Sequence, residues 1–180
     1  MDQRSAKINI SAAGGSAGAG AKTCKVTLPT AWLSAMGLGG KRREVILSFD
    51  GEQITLSPVL SMGEYARNKR SMGHLVLSLR YYDNDRLCTL IYADFTDQTL
   101  QVRNDTTDWV KTAFGKKALP TWSDFLAFLE ERCVPKGRAG LREYLSDIGL
   151  DEYDPLEIVK RTEGRMAEDQ QWLKIEEIRE

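Results

Sequence analysis

Between two alternating runs, Glu44-Val45-Ile46-Leu47-Ser48-Phe49 and Gln53-Ile54-Thr55-Leu56, stands Asp50-Gly51-Glu52. Asp-Gly between alternating apolar strands is the strongest short-range hairpin signal a sequence offers, so this segment is a β-hairpin before anything else is known. Upstream, residues 6 to 10 alternate like a short strand. Residues 11 to 21 are a Gly/Ala/Ser tract with Gly14, Gly15, Gly18 and Gly20, which reads as a loop or linker. Lys25-Val26-Thr27-Leu28 resumes a strand that Pro29 ends. Thr30 to Met36 then sets Trp32, Leu33 and Met36 at helical spacing before Gly37, a good left-handed cap. The order is strand, strand, helix, strand, strand. About 50 residues with one two-turn helix fall below the size at which a single core is usually sufficient, so a dimer is the natural solution.

Charge divides the chain. It has 25 Lys plus Arg against 26 Asp plus Glu, a net charge of -1. Residues 1 to 73 hold ten basic and five acidic groups, and residues 74 to 180 hold 15 basic and 21 acidic. Such asymmetry points to a polyanion-binding module beside a different one. The 42% hydrophobic content excludes collagen-like and wholly disordered classes. Cys24, Cys88 and Cys133 lie far apart without C-x-x-C spacing, so neither a disulfide framework nor a thiolate zinc site is expected, and a reducing cytoplasmic location is the simplest expectation. No apolar run approaches the roughly 20 residues that span a bilayer, and the N-terminus lacks a signal-peptide core. A single histidine, His74, leaves no Ser-His-Asp triad, Cys-His dyad or His-based metal cluster to assemble. The stretch Gly15 to Thr23 imitates a phosphate-binding loop, but Ala21 stands where glycine must precede the lysine, and a strand follows instead of a helix.

The run Lys25-Val26-Thr27-Leu28-Pro29-Thr30-Ala31-Trp32-Leu33-Ser34-Ala35-Met36-Gly37-Leu38, followed by Glu44 to Leu56, resembles the AbrB-type swapped-hairpin DNA-binding domain. The resemblance covers about the first third of the chain. It implies a homodimer whose chains interleave their hairpins into one β-barrel and present basic residues to double-stranded DNA. Lys25 matches a position that is often basic in the family, and Lys22 lies three residues upstream. The family's short helix often carries basic residues, but the matching Trp32-Leu33-Ser34-Ala35 has none. Lys41-Arg42-Arg43 is a compensating patch by composition, with a solvated loop as its alternative, and Lys7, Arg67, Lys69 and Arg70 are a further extension.

Residues 58 to 73 read as a basic connector. His74 to Tyr82, Leu87 to Phe95 and Thr99 to Arg103 then read as a three-stranded antiparallel meander. Tyr81, Tyr82, Tyr92 and Phe95 form an aromatic group on it. An aromatic sheet can stack bases, but Asp83, Asp85, Asp94 and Asp97 nearby favour sheet packing instead. About three helices follow. Thr121 caps the first, with Asp124 at its third position; the second runs from about Ala139 to Ile148; Asp154-Pro155 opens the third, which runs to Gly164. The tail from Arg165 keeps Met166, Trp172, Leu173, Ile175 and Ile178, a candidate to dock on the sheet. Pairs such as Glu130-Glu131, Asp151-Glu152 and Glu168-Asp169 read as solvated faces. Asp154-Pro155-Leu156 and Gly164 to Asp169 are similar to C-terminal parts of proteins of gut Firmicutes and their mobile elements, a resemblance that transfers no activity.

The expectation is an α+β protein: a dimeric swapped-hairpin domain over 1 to 57, a connector over 58 to 73, and an acidic α+β domain over 74 to 180. It is expected to bind DNA and itself, as a transcriptional regulator or antitoxin-like protein, without catalytic residues, metal or cofactor. The alternative is an anti-CRISPR protein of a mobile element that inhibits a Cas9-type nuclease by binding it or its nucleic acid.

Overall fold

The computed structural model describes residues 2–14, 18 and 20–178. The chain is mixed α+β, with antiparallel sheets, none of them closed as a barrel, and it divides into two compact units, Met1–Val59 and Leu60–Glu180.

In the first unit, β1 (Asn9–Ala12) pairs with β2 (Lys22–Lys25), α1 spans Thr30–Ala35, and β3 (Val45–Phe49) pairs with β4 (Ile54–Pro58). The Asp-Gly hairpin forms as its residues dictate. Asp50 Oδ1 accepts the N–H groups of Glu52 and Gln53 at 2.9 and 2.8 Å, and Gly51 takes φ 107°, which a side chain would resist. The loop is one residue longer than the sequence suggests, because Gln53 belongs to the turn and Phe49↔Ile54 is the last pair. The first hairpin departs further. Both strands move toward the glycine tract, which becomes their connection, and Val26 to Leu28 lie outside any strand. Within that tract, Gly15 to Ala17 and Ala19 lie outside the described residues.

In the second unit, α2 (Met62–Ser71) occupies most of the stretch read as a connector. Ser61 and Glu64 form a reciprocal capping box, a local signal in the sequence. The strands β5 (Val76–Asp83), β6 (Arg86–Asp94) and β7 (Thr99–Asn104) make the expected meander. A fourth, β8 (Gln171–Glu177), joins it from the tail, so the sheet order is β7-β6-β5-β8, not three strands. Three helices follow the meander: α3 (Trp122–Glu131), capped by Thr121 and Asp124, α4 (Leu141–Asp147), and α5 (Pro155–Thr162), capped by Asp154.

Alternation decides which side of the sheet is buried. Leu77, Leu79 and Tyr81 of β5, Ile91 and Ala93 of β6 and Leu173 of β8 face the core, where Phe125, Phe128, Leu129, Leu145, Ile158 and Val159 meet them. The guanidinium of Arg132, itself buried, ties the tail down. It reaches Asp169 by two bonds of 2.5 and 3.0 Å and donates to the carbonyls of Gly164 and Gln171. All three cysteines are free.

Candidate nucleic-acid interface

Each strand position fixes where a basic side chain sits. Lys25 pairs with Asn9, on the polar side of the first hairpin with Ser11 and Thr23, whereas Lys22 pairs with Ala12 on the side of Ile10 and Cys24. Both lysines are exposed, but an odd spacing of three places them on opposite faces. A duplex approaching one face therefore meets Lys25 and Lys22 differently.

The patch Lys41-Arg42-Arg43 is not a plain solvated loop. Gly39 and Arg42 exchange backbone hydrogen bonds of 2.8 and 2.9 Å, and Arg43 Nε donates to the Gly40 carbonyl at 2.6 Å. Arg42 Nη2 donates to the Val59 carbonyl at 3.0 Å, so its guanidinium fastens the turn to the end of β4. Lys41 is exposed at the tip, and Lys7 is exposed just ahead of β1.

The extension on α2 belongs to the second unit, and Lys69 is committed there. Its ammonium lies 3.0 Å from Asp94 and 2.6 Å from Asp97. Burial works against that charge, but the hydrogen bonds to Asp97 and Asp94 outweigh it and raise its pKa. His74 Nδ1 lies 2.8 Å from Asp94. Burial would raise the Asp94 pKa, yet His74, Lys69 and the N–H groups of Thr96 and Asp97 together hold it below the usual carboxylate value. The ligand atoms of His74, Asp94 and Asp97 lie within 4.8 Å of one another, and the ammonium of Lys69 already supplies a cation there. With α2 assigned to the second unit, the first holds seven basic and four acidic residues, a weaker excess than the sequence division implies.

The feature that sequence reasoning left unused is the outward face of the second hairpin. Register pairs Val45 with Pro58, Leu47 with Leu56 and Phe49 with Ile54, so six apolar residues share one side. Leu47, Phe49 and Ile54 are 64%, 70% and 72% exposed, and Leu38 is the one buried apolar side chain among the described residues of the unit. The signal was present in the alternation itself. In the second unit, two adjoining clefts of about 430 and 390 Å³ open beside the turn Trp109–Lys111 and share Val110, Thr112, Ala113, Phe128 and Glu131. No described helix is long and apolar enough to cross a membrane.

No protein-family model, no curated protein and no solved structure matches the chain.

Proposed function

We propose that the chain is a homodimeric duplex-DNA-binding protein, a regulator or antitoxin-like binder whose first unit forms a swapped-hairpin barrel with its copy. The observation that carries this reading is the six-residue apolar face of the β3–β4 hairpin. A lone two-stranded hairpin is marginal in water, and a face this apolar needs a cover. A second copy presents the same face, and an isologous contact buries both at once. Lys25 and Lys22, with Lys41 and Arg43, then supply the phosphate contacts, while Arg42 serves the turn. The second unit serves interaction or sensing. Burial pushes the Cys133 thiol up to about 11 and raises that of Cys88, which leaves neither as a thiolate nucleophile.

Light scattering and fluorescence anisotropy with a mixed-sequence duplex at two salt concentrations test the proposal on one preparation. The expected result is a dimer whose affinity falls steeply with salt, with each lysine that the duplex engages, tested as Lys22→Ala and Lys25→Ala, lowering the salt slope by about one. A monomer without duplex affinity would overturn it.

A further inference from the structure

The sheet of the second unit has a second face. Opposite the core, register sets Arg103, Leu90, Arg80 and Lys174 side by side, one residue from each of β7, β6, β5 and β8. Paired residues share a face, so three cations cross the whole sheet in one row, over about 14 Å at the usual strand spacing. Their side chains are 53%, 36% and 53% exposed. On one side of this row lies Tyr92, half-buried between Gln101 and Ser78. On the other side Tyr82 and Trp172 stack with ring centroids 4.4 Å apart and planes 11° apart, and Arg165 lies 4.8 Å over the Trp172 ring. The face is banded aromatic, basic, aromatic.

The acidic residues that weigh against base stacking in the bare sequence are largely occupied. Asp83 takes the ammonium of Lys111 at 2.6 Å, and Asp94 and Asp97 are held by Lys69 and His74. Glu176 is shared between Arg80 and Lys174, so one carboxylate serves two cations, and Asp105 takes Arg103. Exposed pairs of this kind are weak and exchange readily for phosphate. The same face carries α2 at its far end, where Tyr65 donates its hydroxyl to the Thr99 carbonyl at 2.9 Å, and α2 adds Arg67 and Arg70.

We propose that this outer face binds single-stranded nucleic acid, with phosphates on Arg103, Arg80 and Lys174 and bases against Tyr92 and the Tyr82–Trp172 stack. Charge complementarity supplies the backbone contact. Partly exposed rings on a sheet face can stack only bases whose faces are open, which a duplex does not offer. The site is independent of the duplex reading of the first unit.

The full chain is titrated at low salt by fluorescence anisotropy against short labelled oligouridylate, oligothymidylate and duplex, with thermal melts to show that each variant folds. The single strands are expected to bind, and a preference for either sugar separates RNA from DNA within the proposal. Tyr92→Ala is expected to weaken them by about fivefold or more, with Tyr92→Phe restoring binding. Arg103→Ala with Lys174→Ala is expected to weaken them by about tenfold. Lys22→Ala and Lys25→Ala should leave them unchanged, so failure of the duplex reading shows in the duplex arm alone. The proposal is overturned if neither strand binds, if the losses follow Lys22 and Lys25 instead of the sheet, or if polyglutamate displaces the strand as readily as nucleic acid does, which would mark an acidic-peptide surface.

Discussion

Single residues in the second unit show how closely its tail is fitted. Gly164 takes φ 58°, and a Cβ there would stand 2.8 Å from Leu173 Cδ1 and 3.2 Å from Arg132 Cβ. Gly164→Ala therefore meets both backbone strain and overpacking, and we expect a loss of about 2 kcal/mol in urea unfolding. Asp94 offers a different test. Its folded pKa lies below the ordinary 3.8, so its contribution is complete above that value and disappears as pH falls through the lower folded value. Asp94→Asn should lower stability at neutral pH and make the decline below pH 3.8 shallower, read as urea midpoints across that range. Nothing in the bare sequence marks Asp94 in this way, because its partners His74 and Lys69 come from distant positions on another strand approach and a helix.

At the scale of elements, local signals were readable and distant partners were not. The Asp50-Gly51 hairpin and the caps at Thr121 and Asp154 follow from residues within a few positions, and each forms as expected. The strand β8 was only a candidate, since its Trp172, Leu173 and Ile175 acquire meaning from β5, with Arg80 and Glu176 separated by 96 positions. The stretch that forms α2 reads as a connector because its apolar content is thin, and in the structure only Tyr65 and Ala66 of it are buried. Its capping box is thus a larger share of its stability. Ser61→Ala is expected to cost about 1 kcal/mol and to loosen α2 first, visible as faster amide exchange over Met62–Ser71. Among the candidate site residues, the sequence sets Lys22 three positions before Lys25, and only the strand register separates them onto opposite faces. Nor does the sequence show that Lys69 and Arg42 are spent on internal contacts.

For the whole molecule, the proposed dimer makes Phe49 decisive. A side chain 70% exposed in a monomer should tolerate a charge within about 0.5 kcal/mol, whereas Phe49→Glu in a dimer contact should separate the copies. We expect light scattering to show a monomer, with the second unit still melting cooperatively. An unchanged dimer would move the contact elsewhere. The position of β8 has a further consequence, for synthesis. While β5, β6 and β7 can pair as soon as they emerge, the other edge of β5 stays bare until a segment 96 residues later has been made. At about 5–20 residues per second, that leaves an open strand edge on the ribosome for roughly 5–20 seconds. The newborn chain thus spends its first moments with a hydrogen-bonding template exposed, and its yield in a cell depends on how well that interval is guarded.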